Sequence, residues 1–164
     1  MSLSPPYRFR AYWRGDTAHY YLPATFVCEG LGIRDRIDFA VDTGSHTTFI
    51  SQADAARLNI DYGKLTAAKV ELKTLYRALS RYLVYDYHLI FESENMGRFT
   101  LDASRDGPYF DFPMSIVANE GITPATMPSI LGTWFLQEFD AVLRLHKNNP
   151  VMMIDLYSDD VAHL

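Results

Sequence analysis

"FAVDTGSHTTFIS", residues 39–51, sets an ionisable carboxylate, Asp42, and a turn glycine, Gly44, inside a frame of strand-forming residues. Phe39 and Val41 precede the Asp-Thr-Gly triplet, and Phe49 and Ile50 follow it. An ionised carboxylate drawn into an apolar frame is costly unless it is paired or hydrogen-bonded. Asp42 is therefore either well compensated or chemically engaged. A plainer reading stands beside that one: Asp caps turns and Gly supplies positive φ, so Asp-Thr-Gly also serves as an ordinary turn between strands. A chain of this length contains the triplet by chance on the order of a few per cent of the time.

Outward from the triplet, strand signals dominate. Residues 20–28 are rich in Tyr, Phe and Val, residues 30–32 form a turn, and residues 34–41 alternate charged and apolar side chains as a half-buried strand does. After the triplet, "SQADAARLNI" (51–60) predicts a short helix with Ser51 as N-cap and Leu58 on its buried face. "SRYLVYDYHLIFES" (80–93) reads as the longest strand, with Leu83, Tyr85, Tyr87, Leu89 and Phe91 on one face. "ENMGRFTLD" (94–102) turns and begins another strand, "RDGPYFDFP" (105–113) is a loop, and "MSIVAN" (114–119) is a short apolar strand. "TWFLQEF" (133–139) predicts a second short helix. "DAVLRLHKNNPVMMIDLY" (140–157) predicts a β-hairpin turning at Asn148, Asn149 and Pro150. The fold class expected is mainly β.

Composition narrows the functional classes. The 164 residues suit one domain, taken as residues 1–164, with a real core. A net charge of −5 without any Lys/Arg cluster argues against nucleic acid as a partner. Cys28 is the lone cysteine, and the five histidines (His19, His46, His88, His146, His163) show no metal-ligand spacing. No P-loop, GxGxxG or GxSxG occurs, so no metal or other cofactor is expected. The first residues lack the apolar run of a signal peptide, and no stretch reaches about 18 apolar residues. A cytoplasmic protein without membrane contact is the expectation.

A second stretch, "PSILGTWFLQEFD" (128–140), sets Ile130 and Leu131 against Gly132 just ahead of a helix. Together with the framed Asp-Thr-Gly, it resembles the retropepsin-like aspartic proteases, the single-domain relatives of pepsin. The resemblance spans residues 20–156 and implies a closed β-barrel with one or two short helices. It assigns Asp42 as the catalytic carboxylate in a loop completed by Thr43, Gly44 and Ser45. Ile130, Leu131 and Gly132 belong to a strand that passes beneath that loop, and their own chemistry is core packing. Peptide hydrolysis by this route needs two carboxylates, one deprotonated to activate water and one protonated to polarise the carbonyl. The chain has no second Asp-Thr-Gly or Asp-Ser-Gly, so the second carboxylate must come from another copy in an isologous homodimer. The resemblance further implies that the Thr43 hydroxyl bonds main chain across the dimer axis, and that Gly44 lets substrate main chain approach. Ser45 stands where viral relatives commonly have alanine. Its hydroxyl is expected on the outer oxygen of Asp42, favouring the ionised form and an acidic activity optimum.

Two departures accompany the resemblance. The window where the family carries a glycine-rich flap reads "AAKVELKTLYRALSRY" (67–82), with no glycine between Gly63 and Gly97. Such a flap is expected to be longer, stiffer or helical, and "KVELKTLYRAL" (69–79) could form a helical turn. An insertion is also expected around residues 92–125. Tyr76, Tyr82 and Tyr85 are read as core strand tyrosines, with a pocket for apolar substrate side chains as the alternative. The functional expectation is a homodimeric aspartic endopeptidase acting on peptides or proteins. The alternatives are an inactive peptide-binding or dimerisation module on the same fold, and an unrelated β-barrel ligand binder in which residues 42–44 are merely a turn.

Overall fold

In a computed structural model, residues 6–65, 69–73, 78–109, 111–118 and 127–157 are described. The first strand, β1 (Tyr7–Arg14), lies outside the stretch covered by the sequence resemblance. It alternates Phe9 and Ala11, fully buried, with Arg8, Arg10 and Tyr12 pointing the other way. Next come β2 (His19–Cys28), a single 3₁₀ turn, and β3 (Ile33–Val41), which ends one residue before Asp42. The chain continues through β4 (Phe49–Ile50) into α1 (Gln52–Arg57), where the Ser51 hydroxyl accepts the Asp54 N–H at 3.2 Å as the expected N-cap.

The glycine-free window is a hairpin. β5 (Lys69–Lys73) pairs antiparallel with β6 (Ala78–Val84), so the expected helical turn is replaced by strands. Charged Lys69, Glu71 and Lys73 alternate with Val70 and Leu72 at the period of a strand, which explains the outcome. The hairpin tip, with Tyr76, lies outside the described residues.

Residues 80–93 are two strands rather than one. β6 ends at Val84, and β7 (Tyr87–Ser93) starts after Asp86, whose φ of 65° breaks the run. The Asp86 N–H donates to Ala103 O at 3.1 Å. The break resets the face pattern: Val84, Tyr87, Leu89 and Phe91 are buried, whereas Tyr85 is 42% exposed and is not a core residue. Tyr82 packs on Tyr62, their ring centres 5.6 Å apart. β8 (Gly97–Ala103), β9 (Met114–Val117), β10 (Ile130–Leu131), α2 (Thr133–Glu138) and the hairpin β11 (Val142–Leu145) and β12 (Val151–Leu156) complete the chain.

The described strands form a single twelve-stranded sheet in the order β11-β12-β1-β2-β3-β10-β4-β9-β6-β5, with β7 and β8 branching from β2. The expectation of a closed barrel is corrected here, since β11 and β5 end the path without pairing to each other. The cause lies in β2: its first half pairs with β1 and its second half with β7, so the sheet forks into two layers. The main core fills the fork with Phe9, Phe26, Phe39, Phe91, Phe135 and Phe139, all at most 1% exposed.

Asp155 on β12 ties this sheet across three strands. Its side chain is fully buried and takes two hydrogen bonds from Arg8 on β1, from Nε at 2.7 Å and Nη2 at 3.1 Å, and a third from Arg144 on β11. Its pKa is held below the usual carboxylate value, chiefly by the Arg8 bond and with help from Arg144, against the opposing effect of burial. The stabilisation is therefore fully present above about pH 4 and is lost as pH falls through the lowered folded value. Asp155→Asn is expected to cost about 1–2 kcal/mol at neutral pH, a figure kept small because both arginines remain half-exposed to water. Urea unfolding should show that gap closing as pH falls below the usual carboxylate range. An unchanged gap at low pH would assign the acid limb to other carboxylates.

Candidate active site

Asp42 sits at a crossing of three segments. β10 lies between β3, with which it runs parallel, and β4, with which it runs antiparallel, so the two arms of the Asp42 loop embrace it. The Ala40 N–H donates to Ser129 O at 2.8 Å and the Asp42 N–H to Leu131 O at 3.1 Å. Apolar residues on both arms make this possible: Phe39, Ala40 and Ile50 are fully buried, and Phe49 nearly so. The cost of holding a polar loop beside that core is met by hydrogen bonds.

Within the loop, the Gly44 N–H donates to Asp42 Oδ1 at 2.8 Å and the Ser45 N–H to Asp42 O at 3.3 Å. Asp42 remains partly accessible, and Thr43 and Gly44 are exposed. The Ser45 hydroxyl donates to Thr47 O at 3.0 Å, not to Asp42 as expected from sequence. The loop bends so that the nearest acceptor is a carbonyl of its own chain, and Gly44 rather than Ser45 serves the carboxylate. The argument for an acidic optimum from Ser45 loses its basis accordingly.

α2 locks the loop from below. The first N–H groups of a helix have no intrahelical acceptor. Here Thr133 N–H donates to Ser45 O at 2.7 Å and Trp134 N–H to His46 O at 3.2 Å. Gly132, the residue before the helix, donates its N–H to Thr48 Oγ1 at 3.0 Å. A Cβ on Gly132 would lie 2.6 Å from Thr47 O and 2.8 Å from Ser45 O, so only glycine fits between the loop and the helix. Trp134 in turn stacks on Phe112, ring centres 3.8 Å apart, which anchors the helix against the 104–113 loop.

Each residue singled out from sequence thus falls into one constellation. Asp42, Thr43, Gly44 and Ser45 form the loop, and Gly132 is wedged beneath it. Leu131 is buried in the main core, and Ile130 in a smaller cluster with Tyr21, Ala40, Phe49 and Val117. Three supporting residues escaped the sequence reading. Thr48 holds Gly132, and its only signal is a hydroxyl residue between loop and strand. Ser129, fully buried, accepts the Ser51 N–H at 3.0 Å and donates to Asp54 Oδ2 at 2.6 Å, tying β10 to α1. The third is Trp134, whose backbone contact has no signature in sequence.

No family model matches the chain, and no curated protein matches it. Among solved structures it is similar to a retropepsin-like aspartic protease from Rickettsia conorii, over 95% of this chain and 95% of that one, at a TM-score of 0.51 and 16% identity. Among the described residues no helix is long and apolar enough to cross a membrane. The chain is mainly β and resembles the retropepsin-like fold, with its framed Asp-Thr-Gly loop seated over a buried Ile-Leu-Gly strand.

Proposed function

We propose that the protein is an aspartic endopeptidase that works as a homodimer, each subunit contributing one Asp42 to a shared dyad. The observation that carries this reading is the crossing itself: Asp42 is held at an accessible position by main-chain hydrogen bonds to β10 and from α2, with the Ser45 and Thr48 hydroxyls bracing the loop. One Asp42 takes a proton from water while the other, protonated, polarises the substrate carbonyl and passes its proton on. Two carboxylates in contact share a single proton, which suits that division of labour. Thr43 supports the dimer, since its exposed hydroxyl has no hydrogen-bond partner among the described residues and is available to main chain across the axis. Gly44 supports substrate access, because a Cβ there would stand 3.1 Å from Asp42 Oδ1 and crowd the carboxylate. β5, which ends the sheet path, supplies a strand edge against which an extended peptide can lie. No cofactor takes part in this mechanism.

The test is digestion of a diverse peptide library from about pH 3.5 to about pH 7.5, with products read by mass spectrometry. Cleavage that disappears in Asp42→Asn is the expected result. Absence of cleavage at every pH, at concentrations where the chain is dimeric, would leave the loop with a binding or dimerisation role and would sink the peptidase reading.

A further inference from the structure

Arg81 on β6 stands out among the arginines. Arg8, Arg14, Arg57 and Arg144 each reach a carboxylate. Among the described residues Arg81 has no such partner: its Nη1 donates to Ser115 Oγ at 2.9 Å, and its Nε is buried without an acceptor. Burial accordingly holds its pKa below the usual arginine value, although a guanidinium stays charged. A part-buried cation with an unused donor and no carboxylate among the described residues is a poor structural choice unless another group completes it.

The strand register shows which surface it serves. Asp42 follows the end of β3, and its N–H continues the ladder onto Leu131 O, so the alternation carries Asp42 to the face of Ala40, two residues before it. Ala40 pairs with Ile130, Ile130 with Phe49, and Phe49 with Ser115. Val117 lies two residues beyond Ser115 and pairs with Arg81. Paired residues point to the same side of a sheet, so Arg81 belongs to the face that carries Asp42. β3 and β6 lie four places apart in the sheet, about 19 Å across at ordinary strand spacing, the span of five or six extended residues.

We infer that Arg81 is a specificity-determining residue that selects peptides bearing an acidic side chain within about six residues of the scissile bond. The inference rests on the endopeptidase reading for the word "scissile", and on the register alone for the shared face. A carboxylate arriving there meets the accessible part of the guanidinium in a charge-assisted hydrogen bond, which a neutral amide of the same shape does less well.

The experiment measures binding as well as cleavage, so that the two readings fail separately. Asp42→Asn protein is titrated into fluorescein-labelled decapeptides in which one Glu, or one Gln, is walked along a neutral parent. At one position Glu should bind about tenfold more tightly than Gln, and the preference should weaken with salt. Adding Arg81→Met should bring the Glu/Gln ratio to about one, and Arg81→Lys should keep part of the preference. Circular dichroism of each variant checks the fold, and the Lys variant serves if the Met variant does not fold. Cleavage profiles of protein with Asp42 intact should place the acidic residue at the same position. An Arg81-dependent preference in binding with no cleavage would overturn the peptidase reading and leave the role of Arg81 standing. Equal binding of Glu and Gln peptides, a preference that survives Arg81→Met, or no peptide binding at all would overturn the inference.

Discussion

Asp42→Asn is expected to reduce peptide-bond cleavage by about a thousandfold, the scale of a lost general acid–base group. The amide keeps the shape of the carboxylate and retains an oxygen for the Gly44 N–H, which in the native loop donates to Asp42 Oδ1 at 2.8 Å. Thermal stability should therefore change little while turnover collapses. The proposed homodimer makes a second and sharper prediction from the same variant. When equal amounts of wild-type and Asp42→Asn protein exchange subunits at random, about a quarter of the dimers carry two carboxylates. Activity should then fall to about a quarter of that of the same total of wild-type protein. Subunits acting singly would retain about a half, and that outcome would rule out a shared dyad.

Gly132→Ala should be the most damaging small change near the site. The added Cβ meets backbone, not a side chain that can swing away: Thr47 O at 2.6 Å, Thr47 C at 2.7 Å and Ser45 O at 2.8 Å. Relief requires the loop and α2 to part, breaking the 2.7 Å bond from Thr133 N–H to Ser45 O. A loss of about 3 kcal/mol follows for a rigid, overpacked position. Because the same loop aims Asp42, turnover per folded molecule should also fall, by about a hundredfold for a displacement near an ångström. Gly107→Ala provides the comparison. Its Cβ would lie 2.5 Å from Asp102 O, an equally hard contact, but in the turn after β8. That variant should lose similar stability and keep its turnover per folded molecule. Denaturant titration with parallel measurement of kcat and KM separates the two effects. Wild-type stability in Gly132→Ala would contradict the packing described beneath the loop.

Much of the secondary structure was legible because its causes are local. Ser51 caps α1 with its own hydroxyl, the β11–β12 hairpin forms as expected around a turn closed slightly earlier by Asn149 N–H on His146 O, and the turn expected at Asn95 to Gly97 leads into β8 at Gly97, where φ is 78°. Other features had no local cause to read. Asp86 interrupts an apolar run by adopting positive φ, a conformation that aspartate tolerates but does not announce. β1 was hidden by its arginines, although its period of two is plain once Phe9 and Ala11 are seen against the core. The destination of the Ser45 hydroxyl depended on how the loop bends, which neighbours in sequence do not specify.

The sequence by itself determined the mainly β class, the single framed Asp-Thr-Gly and, through the count of one, the need of a dyad mechanism for a second copy. These follow from residue types, their alternation and their number. Only the tertiary structure decided that β10 passes between β3 and β4, that α2 donates its unpaired N–H groups to the Asp42 loop, and that the sheet forks instead of closing. Each of those depends on backbone partners far apart in the chain, and every backbone offers the same donors and acceptors. Register and packing alone choose among them.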